Sequence, residues 1–595
     1  MNTTLFCCFF SVSSFFFAQK PVQIAFLSDV HFQDLYGSFS DHHFKGIINP
    51  KTGRPTILRT MDSQLHSTRI FNENYFAFLK ALDDIAAKGI KIVAMPGDFS
   101  DDGQAYNLRG LHKILEHYHR KYGINFYLIT GNHDPVGPFR NDGGKSDFLG
   151  QNGNPLGIYS KENIGKPMDK IITKDIAESG YLEILNELKD FGFSPKKEDL
   201  YWSTPFDPGS CENYTYQKGL QAAAYSERMY EVSKGFFVPD LSYVVEPVKD
   251  VWMIAIDGNT YIPKNSNEGP ENSSNYKSAG IGYNNVLTNK QHLIQWVKKL
   301  AAEAKKSNKT LIAFTHYPMI DFNDGATHDI KKLLGEKKWQ MERVPQEEVA
   351  EVFAEAGLQI HFAGHMHIND TGIRRTGDHI LVNIQVPSLA AYLPAYKILT
   401  IQSPDKMEVQ TEVLNEVPHF DELFPLYQKE YETLQSSAGK IIWNKDILKT
   451  QSYHDFMLFH LKELVRLRMI PDDWPAEFIK KTTNLNGEDL LLLTQNKNQL
   501  KEQGIRSEDF RKWSFNDLLL DLYKFQSADE LARKDIPEER LNQYKVLENL
   551  YRKNETRDSW IQQIKSVFTI LSVLSHGDPA DHFEIDLKSK EIKRL

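Results

Sequence analysis

The stretch IHFAGHMHIND, residues 360–370, runs apolar into a glycine and then presents two histidines one residue apart. The apolar run over 358–363 predicts a short buried strand, and Gly364 lets the chain turn where it leaves the sheet. His365 and His367 are therefore expected in a strand-end loop. Two histidines so placed serve a surface or a core more often than a metal, so their meaning depends on what other segments bring to the same place.

Working outward, four other segments have the same form. VQIAFLSDVHF (22–32) begins as a buried strand, breaks into a polar loop at Ser28 and delivers Asp29 and His31. IKIVAMPGDF (90–99) ends in Gly97 and Asp98, and INFYLITGNHD (124–134) ends in Gly131, Asn132, His133 and Asp134. LIAFTHYP (311–318) delivers His316. Between the first three strands lie helix-periodic stretches. One places Tyr75, Phe76, Leu79, Leu82, Ile85 and Ala86 on one face before Gly89; the other places Leu108, Leu111, Leu115 and Tyr118 before Gly123. Strand, helix, strand at this spacing predicts βαβ units and a parallel α/β layer. Further strands are expected at VWMIAIDGN, HILVNIQVPS and AYKILTIQS, and further helices near 289–306 and 345–356.

A chain of 595 residues exceeds what one core usually supports, so two or more domains are expected. Hydrophobic residues make up 41% and charged residues 25%, an ordinary globular composition. A net charge of -9 without a long Lys/Arg run disfavours a nucleic-acid partner, because such binding needs clustered positive charge. Residues 1–18, MNTTLFCCFFSVSSFFFA, read as a signal peptide cut after Ala18, so an exported protein, periplasmic or secreted, is expected. Cleavage there removes Cys7 and Cys8 and leaves Cys211 as the single thiol, so no internal disulfide is expected. No transmembrane segment is expected in the mature chain. Every strand-end cluster lies within 19–415, a domain with insertions at 33–69 and 135–247; beyond it, 416–595 is helix-periodic and reads as an all-helical C-terminal domain. The composition does not specify an oligomeric state.

Five polar clusters at five strand ends converge where open α/β sheets place their ligands, at the carboxyl ends of strands. Carboxylates and imidazoles gathered there are costly unless a cation neutralises the former and accepts lone pairs from the latter. The order D-x-H, GD, GNHD, a histidine in FTHYP, then GHMH resembles the calcineurin-like metallophosphoesterase family over about 22–414. The resemblance implies an αββα sandwich with a two-metal site at one edge. Carried over, it implies one metal on Asp29, His31 and His367, the other on Asn132, His316 and His365, with Asp98 bridging. Mixed N and O ligands without cysteine suit Zn, Mn or Fe. Two such ions activate a water to attack phosphorus in line and absorb charge on the phosphoryl oxygens. The resemblance also implies His133 as the catalytic histidine that protonates the leaving oxygen. Asp101, three residues after Asp98, is implied as the carboxylate that orients it, with Asp102 an alternative.

The expected activity is therefore metal-dependent hydrolysis of a small phosphoester. A phosphodiester is favoured, cyclic-nucleotide or sphingomyelinase-like, because GDFSDDG (97–103) resembles the phosphodiesterase branch and the strand-end motifs hold no Arg or Lys. A phosphomonoesterase and a metal-free binding scaffold of the same fold are the alternatives. His42, His43 and His361 read as surface or packing residues, and Asp257 and Asn259 as supports behind the metal ligands.

Overall fold

The computed structural model describes residues 21–166, 168–436, 442–494 and 506–595, so the leader at 1–18 lies outside the described residues. VWMIAI shows why the strands read as unbroken apolar runs. Val251, Met253 and Ala255 pack into a cluster with Phe26, Phe314 and Phe362, whereas Trp252, Ile254 and Ile256 pack with Val297 and Phe353 on the other side. A strand covered on both faces has no polar side to alternate with.

Fourteen strands build two sheets. Along the chain they are β1 (Val22–Phe26), β2 (Ile92–Pro96), β3 (Asn125–Ile129), β4 (Tyr201–Ser203), β5 (Tyr243–Val248), β6 (Val251–Ile256) and β7 (Thr310–Thr315). They continue with β8 (Ile360–Ala363), β9 (Asp370–Thr376), β10 (His379–Gln385), β11 (Ala395–Ser403), β12 (Lys406–Val413), β13 (His582–Asp586) and β14 (Glu591–Arg594). The first sheet has the order β14-β13-β12-β11-β1-β2-β3, and the second β9-β10-β8-β7-β6-β5-β4. Within them β1, β2 and β3 are parallel, as are β6, β7, β8 and β10. The sheets face each other through aromatic side chains, Phe26 stacking on Phe362 with ring centroids 3.6 Å apart. Helices α1 (Asn74–Ala87) and α2 (Ala105–Tyr122) bury their apolar faces with the first sheet, and α3 (Gln291–Lys306) and α4 (Glu347–Glu355) theirs with the second. This is an αββα sandwich. Because the parallel strands of both sheets end at one edge, every strand-end motif opens there.

Two segments differ from their sequence reading. The stretch 135–247 contributes β4 and part of β5 to the second sheet, and Gly144–Leu149, Pro155–Tyr159 and Lys170–Ile172 form a small sheet of their own. The C-terminal region is helical through α5 (Phe424–Gln435), α6 (Tyr453–Leu464) and α7 (Phe515–Ala528), yet it closes with the β13-β14 hairpin, which pairs antiparallel with β12. The expectation of an all-helical segment is corrected there. In HFEID only Phe583 and Ile585 turn inward, an alternation too short to stand out from its charged flanks.

The helical region is bonded into the sandwich. Glu430 accepts the backbone N–H groups of Met61 (2.7 Å) and Asp62 (3.0 Å), which open a short helix at Met61–Leu65. Such free N–H groups favour a carboxylate. The Tyr427 hydroxyl donates to Glu73 (2.7 Å) and accepts from Asn72 (2.8 Å). His460 reaches the Gln64 carbonyl at 3.0 Å. Among the described residues no helix is long and apolar enough to cross a membrane.

Burial raises the Glu73 carboxyl from the ordinary glutamate range to about 7, against the hydrogen bond from Tyr427. A raised carboxyl pKa means that the folded chain holds the proton more tightly than the unfolded one. Its contribution is complete below the unfolded pKa and is lost as pH rises to about 7. Glu73→Gln keeps an acceptor for Tyr427 but has no proton to lose. Its melting temperature relative to the parent protein should therefore climb between about pH 4.5 and pH 7 and then level off. A difference that does not change with pH would contradict a buried, titrating Glu73.

Candidate metal centre

Each of the seven expected ligands leaves the carboxyl end of its strand and turns inward. Asp29, His31, Asp98, His365 and His367 do so in the left-handed region, at φ of 49°, 44°, 48°, 74° and 59°. Non-glycine residues seldom adopt that conformation, although Asp and His tolerate it better than most. Two glycines allow the loops to meet. A Cβ on Gly364 would stand 1.9 Å from Ser28 Oγ and 2.3 Å from Asp29 Oδ2, and one on Gly97 would stand 2.6 Å from the His316 ring. The loops are also cross-bonded, His31 N–H to the Asp98 carbonyl at 2.8 Å and Gly364 N–H to the His316 carbonyl at 2.9 Å.

The donor atoms converge on two points. Around the first, His31 Nε2 and His367 Nε2 are 3.1 Å apart, with Asp29 Oδ1 3.4 Å from the latter. Around the second, His316 Nε2 lies 3.2 Å from Asn132 Oδ1 and 3.1 Å from His365 Nδ1. Asp98 stands between them: Oδ2 is 3.7 Å from His31 Nε2 and 3.3 Å from His316 Nε2, while Oδ1 accepts the His133 backbone N–H at 2.8 Å.

The residues fit a pair of cations, and the outward ring nitrogens are the reason. His365 Nε2 meets the Gly280 carbonyl at 3.0 Å, His316 Nδ1 the Pro96 carbonyl at 3.1 Å and His367 Nδ1 the Thr68 carbonyl at 3.3 Å. A carbonyl only accepts, so each outward nitrogen carries the hydrogen and each inward one presents a bare lone pair. As neutral rings, His316 and His365 would set two lone pairs face to face 3.1 Å apart, which is unfavourable without a proton or a metal ion between them. Burial, helped by Arg69, holds His31 well below its ordinary pKa; burial, helped by Arg343, does the same to His365. His316 is the exception: burial opposes its charge, but Asp98 overcomes this and pushes it up to about 9. A proton at His316 stands where a cation would.

Behind these ligands, Asn259 holds the Gly131 carbonyl (2.9 Å) and accepts the Tyr317 hydroxyl (2.5 Å), as a support should. Asp257 lies one layer further back, receiving the Leu241 N–H at 3.0 Å. His361 is buried and bonded to Asn383 at 2.8 Å, whereas His42 and His43 are exposed.

Residues 22–220 match the sequence model of the calcineurin-like phosphoesterases. The matched stretch holds Asp29, His31, Asp98, Asn132 and His133 and covers about a third of the chain. The phosphoesterase motifs of 22–134 share their centre with His316, His365 and His367 far beyond the matched stretch. No curated protein matches the chain. Among solved structures it is similar to a dimetal phosphatase from Danio rerio (10% identity, 66% of this chain and 96% of that one, TM-score 0.32). It is also similar to a purple acid phosphatase from yellow lupin, Lupinus luteus (9%, 67% and 52%, 0.29), and to GAP50 of Plasmodium (9%, 66% and 85%, 0.26). All three TM-scores are low, and no residue correspondence follows from them.

His133 reaches the mouth of the phosphoesterase site, but its carboxylate partner is not Asp101. Asp101 is taken by Arg59 (3.0 Å) and Arg69 (3.1 Å), while Asp102 meets His133 Nδ1 and is paired with Lys145. Asp102 sits at φ 55°, which turns its side chain away from its neighbour's course. Burial and then Arg69, 3.5 Å from Nδ1, lower His133 to about 4, so its ring is neutral in the free site at neutral pH. The sequence reading also missed Arg69 and Arg343, which line the cleft from outside every strand-end motif.

Asp98→Asn should lower both metal occupancies in purified protein, whereas His367→Ala should lower one. Elemental analysis decides this, and a full complement in Asp98→Asn would sink the shared ligand.

Proposed function

We propose that this protein hydrolyses a small phosphoester at a two-metal site, held as assigned above with Asp98 shared. The convergence of seven donors on two points either side of Asp98 carries the reading, and it speaks against a scaffold that has lost its metals. Two transition-metal ions, of the Zn, Mn or Fe kind, supply there a Lewis acid for the phosphoryl oxygens and an activator for the attacking water. The chain's own side chains do the rest.

The cleft over the centre holds about 400 Å³, within the range of small-ligand sites. Thr68 and Arg69 come from the end of the first insertion, His460, Leu461 and Leu464 from α6, and Gln526 and Ser527 from α7. The helical region is thus a wall of the site and keeps water from one side. Asp102 fixes His133 with Nδ1–H toward the carboxylate and Nε2 free toward the cleft. An anionic phosphoryl group beside the ring favours its protonated form, from which Nε2–H can pass to the leaving oxygen.

The phosphodiester expectation rested on a lack of fixed cations, and Arg69, Arg343 and Arg468 all line the cleft. Arg69 is held by Asp101, while Arg343 has no ion pair among the described residues and its charge acts on His365. A free guanidinium over a metal pair suits the dianion of a phosphomonoester, which can be gripped bidentately. The monoester reading is therefore the better supported, and GDFSDDG remains the one feature on the diester side. Export is part of the proposal, supported by the composition of residues 1–18; a mature chain beginning at Gln19 would bear it out. No nucleic-acid partner is proposed.

Two variants test the roles. His133→Ala should keep its metals yet slow turnover by on the order of 10² to 10⁴, less for p-nitrophenyl than for alkyl leaving groups. Equal losses on both would count against proton donation. Arg343→Ala should lower kcat/KM for p-nitrophenyl phosphate by roughly 10- to 100-fold, the worth of a charged hydrogen bond, and spare bis-p-nitrophenyl phosphate. A parent enzyme that prefers the diester, unaffected by Arg343→Ala, would restore the diester reading.

A further inference from the structure

The placing of the His133 ring depends on a residue that no strand-end motif contains. Its partner Asp102 is 6% exposed and has both oxygens in use: Oδ1 meets His133 Nδ1, and Oδ2 meets the Lys145 ammonium. Among the described residues no other hydrogen bond or ion pair reaches that carboxylate. A carboxylate gripped at one oxygen can still turn about its Cβ–Cγ bond, which has a broad torsional well. Gripped at both, it cannot.

The two insertions fix the point from which Lys145 reaches. It lies on the strand Gly144–Leu149 and pairs there with Ile158. The same strand is bonded to the first insertion, Thr60 N–H to the Asp147 carbonyl at 2.8 Å and Leu149 N–H to the Leu58 carbonyl at 2.9 Å. Phe148 and Ile158 are buried in one cluster with Ile57 and Tyr106. Two residues after Lys145, Asp147 serves the neighbouring aspartate. Its Oδ2 takes Arg59 at 2.5 Å, Arg59 reaches Asp101 at 3.0 Å, and Asp101 holds Arg69 at 3.1 Å. One short strand thus ends two chains of contact, Asp147–Arg59–Asp101–Arg69 and Lys145–Asp102–His133.

The charges of this cluster balance, with Asp101, Asp102 and Asp147 against Arg59, Arg69 and Lys145. Without Lys145 the balance fails at Asp102, because a buried charge that loses its partner is left uncompensated. The cation remaining beside the ring is Arg69, with Nη2 3.5 Å from His133 Nδ1, and it would draw the carboxylate off the ring. His133 and Arg69 line the cleft, whereas Lys145 and Asp102 stand behind its lining.

We propose that Lys145 is a positioning residue for phosphoester hydrolysis: by holding one oxygen of Asp102 it keeps the other on His133 Nδ1, so that Nε2 faces the cleft. The proposal rests on the reading of His133 as the proton donor and adds to it a residue supplied by the second insertion. Lys145 touches neither substrate nor metal ligand, and it acts through the ring.

The test uses full-length, metal-loaded protein. Lys145→Met keeps most of the stem and loses the charge. It should retain its metals and lower kcat for an alkyl phosphate by roughly 10- to 100-fold, the worth of a charged hydrogen bond, with KM nearly unchanged. The loss should be smaller with p-nitrophenyl phosphate, whose leaving group needs little protonation. Lys145→Arg, which offers the carboxylate a cation again, should recover most of it. In the His133→Ala background Lys145→Met should cost almost nothing more, since two residues that act as a unit are not additive. Undiminished kcat in Lys145→Met, equal losses with both leaving groups, or a full further loss in the His133→Ala background would overturn the proposal and leave the role of His133 standing. Metal lost from both Lys145→Met and Lys145→Arg would also overturn it, by making the residue structural. Equal losses on both leaving groups in His133→Ala itself would remove the underlying reading, and this proposal with it.

Discussion

The structure turns on the carboxylate of Asp98. One oxygen is held by the His133 backbone N–H, and the other looks at His316 and His31 from 3.3 and 3.7 Å. Burial alone would drive its proton affinity up, yet the surrounding histidines hold it well below the carboxylate range. An ionised carboxylate in that setting needs positive charge on both sides, and His316, protonated, provides it on one. Two cations would provide it on both. The backbone is bent to this end, since five of the seven expected ligands sit in left-handed conformations. Such conformations cost of order 1 kcal/mol or more each and persist only where the surroundings fix them.

Two sheets with strands buried on both faces hold those conformations in place. Their parallel strands end at one edge, and the loops that leave are bonded to one another before any ion is considered, His31 to Asp98 and Gly364 to His316. Asp29 is gripped by the Ser28 hydroxyl at 2.6 Å and the His365 N–H at 3.0 Å, so one sheet's ligand is positioned by the other sheet's loop. The C-terminal region completes the frame. Its hairpin extends the first sheet, its helices wall the cleft, and Glu430 and Tyr427 bind it to the loop that brings Arg69.

The strands, their order of motifs and the inward course of Asp29, His31, Asp98, Asn132, His316, His365 and His367 were legible in the sequence, because apolar runs that end in Gly, Asp or His mark both a buried strand and its exit. What was hidden depends on direction or distance. Asp101 and Asp102 are adjacent in sequence, and only the left-handed turn at Asp102 decides which one reaches His133. Arg343 ends a three-residue 3-10 turn, Met341–Arg343, that no periodicity marks, and its position follows from packing around the cleft. The short β13 was hidden by its charged residues.

Anomalous diffraction from crystals of the purified protein, recorded at the absorption edges of zinc, iron and manganese, tests the centre most directly. The account predicts two peaks, one among Asp29, His31 and His367, the other among Asn132, His316 and His365, with Asp98 between them. A fully active protein showing no peak there, or one peak that leaves either set of ligands bare, would contradict it.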